Sequence, residues 1–127
     1  MWTFPHYTPG KFPDWQALEH RFSWFADMKN VPQDPEWHAE GDVFVHTKMV
    51  CEALLQLPEF QALSEQEQHI LFAAAMLHDV EKRSTTKSEI QDGKERIVSP
   101  NHAKKGEYTA RTLLYTCLLY TSLSGLA

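Results

Sequence analysis

At 127 residues the chain is long enough for one domain with a single core and too short for two. With 43% hydrophobic and 23% charged residues it reads as an ordinary globular protein, and it carries no internal repeat or low-complexity tract. The net charge of −5 is unevenly spread: residues 1–81 hold 4 Lys/Arg against 13 Asp/Glu, whereas residues 82–111 hold 8 against 4. An anion approaching that later stretch would be attracted by it, unless the lysines are merely scattered over a solvated loop.

No basic segment followed by an apolar run opens the chain, so a secretory signal is not expected. The late apolar stretch LLYTCLLY is too short to cross a bilayer, and no membrane partner is expected. Cys51 and Cys117 match no zinc or redox spacing. Such cysteine usage suits a reducing compartment, and a cytoplasmic location is the expectation.

Residues 1–13 contain Pro5, Pro9 and Pro13 and lack periodicity. They are predicted to form an extended arm whose Trp2, Phe4 and Tyr7 pack on the domain. A helix is predicted over 14–28, capped by Asp14, with Trp15, Leu18, Phe22 and Phe25 at helical spacing. Two prolines and a glycine make NVPQDPEWHAEG a loop. Asp42 can cap a second helix over 42–57, with Val45, Met49, Val50, Ala53, Leu54 and Leu57 on its apolar face.

Ser64 to Glu67 reads as a capping box opening a third helix that runs to about residue 82. From Ile70 to Leu77 this helix is apolar on nearly all sides, which places it at the domain centre. The polar stretch that follows holds Asp92-Gly93 between short, partly apolar runs and is predicted to be a small hairpin or ordered loop. Ser99 followed by Pro100 is a good helix start, and the fourth helix carries His102, Tyr108, Leu113 and Leu114. The fold class expected is all-α, a bundle of about four helices with one short insertion.

The stretch TCLLYTSLSGLA fits poorly with what precedes it: it has no charge and its Thr and Ser residues are not at helical spacing. CLLYTS is also what one frame of a common transposase-derived sequencing adapter encodes. The expectation is a domain over 14–116 cut inside a helix, followed by a non-native tail over 117–127. A natural hydrophobic tail is the alternative.

Three of the seven histidines stand near predicted helix ends: His46 in VFVHTKMV, His78 in MLHDVEK and His102 in SPNHAKKG. His78 and Asp79 close a helix apolar enough to be buried, and burying an imidazole and a carboxylate without partners costs several kcal/mol. Neutral imidazole and carboxylate suit zinc, iron, manganese, nickel or cobalt, and carboxylate with water suits magnesium. A divalent cation held by His46, His78 and Asp79 would offset that cost. The alternative is a core histidine bonded to a carbonyl beside a surface acid.

VHTKMV, with MLHDVEK beginning 26 residues further on, resembles the HD superfamily of metal-dependent phosphohydrolases, over about residues 14–115. PEWHAEGDVFVHT looks like the HD module of bacterial tRNA nucleotidyltransferases. HTKMVCEALLQLPEF, LFAAAMLHDVEK and SPNHAKKG are closer to the HD module that precedes a polynucleotide kinase domain in bacterial RNA end-healing proteins. The resemblance implies an HD-domain helical bundle with His46, His78 and Asp79 as metal ligands. It implies that His102 serves a second metal or a phosphate, although His102 could also bond within its own turn. It further implies that Lys82 meets a substrate phosphate, the alternative being a solvated lysine beside Glu81.

Lys105 in the same basic stretch would help to bind substrate. Glu81 could position a water but is expected at the surface; His38 could border the pocket but is expected to support the loop entering the second helix; His6, His20 and His69 are expected in structural or exposed roles. HD proteins normally take a further aspartate from a downstream helix, and none follows Asp92. Either His102 and water complete the ligand set, or metal is held more weakly. No Gly-x-x-x-x-Gly-Lys-Ser/Thr loop is present, so the kinase domain implied by the resemblance would lie beyond this stretch.

The function so implied is hydrolysis of a phosphomonoester or phosphodiester on a nucleotide, or on an RNA 3′-phosphate or 2′,3′-cyclic phosphate end. A different class of function also fits: a non-catalytic RNA-binding or regulatory module, held to its partner by the basic stretch and sensitive to salt.

Overall fold

Asp14, Asp42 and Ser64 each accept a backbone N–H from the residue three positions on, and each starts a helix where the sequence places one. A computed structural model describes residues 1–35 and 38–114; the tail expected over 117–127 and the domain boundary at 116 lie outside the described residues. The helices are α1 (Trp15–Arg21), α2 (Ser23–Ala26), α3 (Val43–Gln56), α4 (Pro58–Gln61), α5 (Glu65–Leu77), α6 (Lys82–Thr85) and α7 (His102–Leu113). Between α6 and α7 lies an antiparallel pair, β1 (Lys87–Gln91) and β2 (Lys94–Val98). The fold is therefore predominantly helical, with one small hairpin. No helix among the described residues is long and apolar enough to cross a membrane.

Four expectations are corrected. The first helix is broken at Phe22, whose backbone is extended (φ −119°, ψ 107°). Residues 22 and 24 of an unbroken helix would point roughly 200° apart. The break lets Phe22 and Trp24 stack, with ring centroids 4.9 Å apart, and both be buried. The third helix ends at Leu77 rather than near 82, and it is not covered on all sides, because Ile70 and Leu71 are exposed. A short α4, begun by Pro58, follows α3 directly.

The last correction concerns the start of α7. That helix begins at His102 behind Asn101 in a left-handed conformation, and Ser99 does not cap it. The Ser99 hydroxyl instead pairs with Thr86 Oγ1 at 2.6 Å.

Of the two forms expected after the third helix, hairpin or ordered loop, the hairpin is the one formed. Lys87 pairs with Val98 and Gln91 with Lys94, and Asp92 (φ 51°) and Gly93 (φ 76°) make the turn. Positive φ at both central residues matches the twist of the flanking strands.

The core is aromatic. Phe72 on α5 is fully buried, with Tyr7 stacked on it at 4.2 Å and Phe4 edge-on at 5.3 Å. Burying one such side chain contributes roughly 1.5–3 kcal/mol. The N-terminal arm thus docks on α5, as predicted. Its backbone is tied down as well: Trp2 N–H donates to Gln66 Oε1 at 2.7 Å, and Phe4 N–H donates to His69 Nδ1 at 3.0 Å.

His69 accepts that bond only while neutral, and burial holds its pKa below the ordinary 6.5. Because the folded value lies below the unfolded one, the contribution is complete above pH 6.5 and is lost as the pH falls through the lower folded value. The thermal midpoint should therefore fall with acidification below pH 6.5. A His69→Gln protein, whose amide oxygen accepts the same bond without titrating, should show a smaller fall. Equal pH dependence in the two proteins would exclude His69 as the group responsible.

Candidate metal centre

The site is built at the C-terminal end of α5. Beyond Leu77 the chain turns, with Val80 N–H on Leu77 O at 3.1 Å and Lys82 N–H on Asp79 O at 3.0 Å. The turn sends Asp79 inward, where it is 5% exposed, and leaves the His78 side chain at the mouth, 35% exposed. The carboxylate, then, bears more of the burial cost foreseen for the pair than the imidazole does. It also sits beside the partial negative charge of the free carbonyls at the helix end, which adds to its need for cationic partners.

Three imidazoles and one ammonium converge on it. Asp79 Oδ2 lies 3.1 Å from His78 Nε2, 3.8 Å from His46 Nε2 and 3.5 Å from Lys82 Nζ. His102 Nε2 lies 3.4 Å from the other carboxylate oxygen, Oδ1. The four partners come from the first turns of α3, α6 and α7 and from the end of α5 itself.

The second nitrogen of each ring is also engaged. His46 Nδ1 meets Glu40 Oε1 at 2.5 Å, His78 Nδ1 meets the Ala75 carbonyl at 2.6 Å, and His102 Nδ1 meets the Ser99 carbonyl at 2.9 Å. A carbonyl oxygen can only accept, so a neutral His78 or His102 ring carries its proton on Nδ1 and its lone pair on Nε2. The Glu40 carboxylate imposes the same tautomer on His46. With the rings neutral, three Nε2 lone pairs and the Asp79 carboxylate are turned to one region; a protonated His78 instead donates from Nε2 to Asp79. His102 bonds within its own turn, one of the two alternatives left open for it, and its Nε2 also faces Asp79.

Burial opposes ionisation of Asp79, but the His78 hydrogen bond and the charges of His78, Lys82 and His102 outweigh it, holding the pKa at about 2. The same pairing raises His78 above the ordinary imidazole value, although burial works against its charged form. Glu40 is lowered by a backbone hydrogen bond and by the bond to His46. The site favours a cation even before a metal is considered.

Ligand atoms of His46, His78 and Asp79 all lie within 4.8 Å of one another, and this donor set fits a divalent cation with borderline nitrogen and oxygen preference. His38, Glu40 and His46 form a second such group. In that group His46 Nδ1 is already committed to Glu40 at 2.5 Å, so its geometry is that of a hydrogen bond that orients His46. Metal-binding histidines characteristically donate their other N–H to a carboxylate or carbonyl in this way.

Two other residues lie elsewhere than expected. Lys105 is brought not to Asp79 but to Glu81, 3.6 Å from Oε2, and donates to Ser84 Oγ at 2.8 Å. Glu81 is not at the surface; it is 4% exposed and accepts from Thr109 Oγ1 at 2.8 Å, which joins the 78–81 turn to α7. Burial opposes its ionisation, but the Ser84 and Thr109 hydrogen bonds and the Arg83 charge hold its pKa below the usual range.

Glu40 was not among the residues singled out from the sequence. It lies six positions before His46, across Gly41, whose φ of 132° lets the chain fold back over the first turn of α3. Lys82, beside Asp79, also donates to Gln33 Oε1 at 3.0 Å.

Comparison with known protein families, with curated proteins and with solved structures finds no match to this chain.

Removing the acceptor that orients His46 should weaken metal binding. Glu40→Leu is expected to lower manganese affinity about 10–100-fold by calorimetry. Glu40→Gln keeps an acceptor for Nδ1–H and should lose less. Unchanged affinity in Glu40→Leu would remove Glu40 from the site.

Proposed function

We infer that this chain is a metal-dependent phosphohydrolase module of the HD superfamily. It acts on phosphomonoesters or phosphodiesters, with an RNA 3′-phosphate or 2′,3′-cyclic phosphate end as the substrate class that its sequence resemblance favours. The observation that carries this reading is the shared orientation of His46, His78 and His102, each with Nδ1 tied back and Nε2 turned to Asp79. A structural histidine needs one partner; three rings prepared in the same way around a buried carboxylate are what a cation requires.

His46, His78 and Asp79 would hold the cation, with His102 beside them. When bound, a divalent cation supplies Lewis acidity and a water that ionises near neutral pH. Hydrolysis forms one phosphorus–oxygen bond from water and breaks the ester bond, and the leaving alcohol takes up a proton. With a pKa of about 2, Asp79 is a poor proton acceptor near pH 7, so its role is ligation rather than base catalysis. Lys82, whose side chain is 13% exposed next to Asp79, offers a point charge to the phosphoryl oxygens.

Within the basic stretch, Arg83 is paired with Asp27 and Glu81, Arg96 with Asp34, and Lys105 with Glu81. Much of the charge on which an RNA-binding module would depend is thus engaged inside the domain.

Hydrolysis of a generic aryl phosphate in the presence of manganese, nickel or cobalt tests the proposal. His78→Ala and Asp79→Ala should reduce turnover to background and abolish calorimetric metal binding. Activity undiminished in both variants would falsify it. RNA binding that survives chelation and both substitutions would favour the binding module instead.

A further inference from the structure

Beside the metal centre lies a pocket of about 120 Å³, lined by Pro32, Gln33, His38, Lys82, Ile97 and His102 among others. Lys82 and His102 belong to both places, since each also faces Asp79. The pocket wall contributed by residues 32–34 is held rigidly. Asp34 is 8% exposed, binds Arg96 Nε at 2.7 Å and accepts from Ile97 N–H at 3.4 Å, fastening this loop to β2.

The wall carries one anomaly. Gln33 is 9% exposed, its Oε1 accepts from Lys82 Nζ at 3.0 Å, and its Nε2 is buried with no hydrogen-bond partner among the described residues. The amide cannot be turned over to relieve this, because Nε2 would then face the Lys82 ammonium, a donor against a donor. An unmatched buried donor costs about 1–3 kcal/mol. Lys82 is in a related state: its ammonium has three hydrogens, and Gln33 and Asp79 account for two. Gln33 and Lys82, each with an unused donor, are thus residues of one pocket wall, next to His38 and His102, and the deficit is of acceptors.

The geometry points to this pocket as a phosphoryl-oxygen subsite, in which the Gln33 Nε2 amide and the Lys82 ammonium donate together to a tetrahedral phosphate beside the metal centre. The assignment rests on the phosphohydrolase reading and adds a residue and a location to it. The volume leaves room for a phosphoryl group. Gln33 acts twice in this arrangement. Its oxygen holds Lys82 in place, and its nitrogen recognises an acceptor, so an ammonium ligand, which has none, finds no match.

Inorganic phosphate titrated into chelated and into manganese-loaded protein, followed by NMR of the Gln33 side-chain amide, tests the assignment. In both states the Gln33 NH₂ resonances should move with phosphate. Gln33→Met, close in volume but without the donor, should bind phosphate at least about tenfold more weakly. Gln33→Glu keeps the acceptor for Lys82, sets a carboxylate against the ligand, and should bind still less.

Both variants should retain the wild-type affinity for manganese, which also shows that they are folded. Resonances that stay still at saturating phosphate, or wild-type phosphate affinity in both variants, would overturn the subsite. Manganese binding is read separately. Its absence from wild-type protein would overturn the metal reading even if phosphate moved Gln33, and its presence alongside indifference to phosphate would overturn the subsite alone.

Discussion

The organisation of the domain follows from one buried carboxylate. Asp79 sits at the negative end of α5 and is almost completely withdrawn from water. A charge in that position is tolerated only with close, well-oriented partners, because the effective penalty for an unpaired buried ion is several kcal/mol. His46, His78, Lys82 and His102 are those partners, and between them they recruit α3, α6 and α7 to the end of α5. An ion held there would complete a neutralisation that the protein has already largely arranged.

Holding four side chains at one point requires a rigid base, and the aromatic core provides it. Phe72, Phe25, Leu18 and Met76 are fully buried beneath the site, and Phe44, one residue from Val45 and two from His46, stacks on Phe25 at 4.6 Å. The first turn of α3 is therefore set by packing as well as by the Asp42 cap. Asp42 also accepts from Asn30 N–H at 2.8 Å, which ties that turn to the loop after α2. The arm adds cover to α5 through Phe4 and Tyr7, both against Phe72. Apolar burial supplies the stability, and the polar network uses it to hold geometry.

The hairpin between α6 and α7 has a different use. Its residues are largely exposed and contribute little to the core, yet β2 carries Arg96 and Ile97, which fix Asp34 and with it Gln33. The inner charges of the basic stretch are spent on such internal clamps. The excess of Lys and Arg over residues 82–111 is thus a poorer guide to ligand attraction than it is to how α6, β2 and α7 are fastened around the site.

Much of the scaffold was legible in the chain itself. The caps at Asp14, Asp42 and Ser64, the Asp92-Gly93 turn and the aromatic arm all depend on interactions within a few residues or on plain hydrophobicity, and local sequence encodes these directly. His78 and Asp79 could also be singled out, because polar residues closing an apolar helix need a reason, and so could His46 and His102 from their places near helix ends; Lys82 was marked by the family resemblance. The break at Phe22 was not legible, since it answers to the simultaneous burial of Phe22 and Trp24 against neighbours distant in sequence. Nor were the burial of Glu81, the diversion of Lys105 to it, the bond from His46 to Glu40, or the unmatched amide of Gln33. Each of these depends on separations across turns and between helices, and a pattern of residues carries no distances. Local pattern was enough to mark the main helices and the residues able to do chemistry; which of those residues meet depended on long-range contacts, because close packing of the core sets where each helix ends.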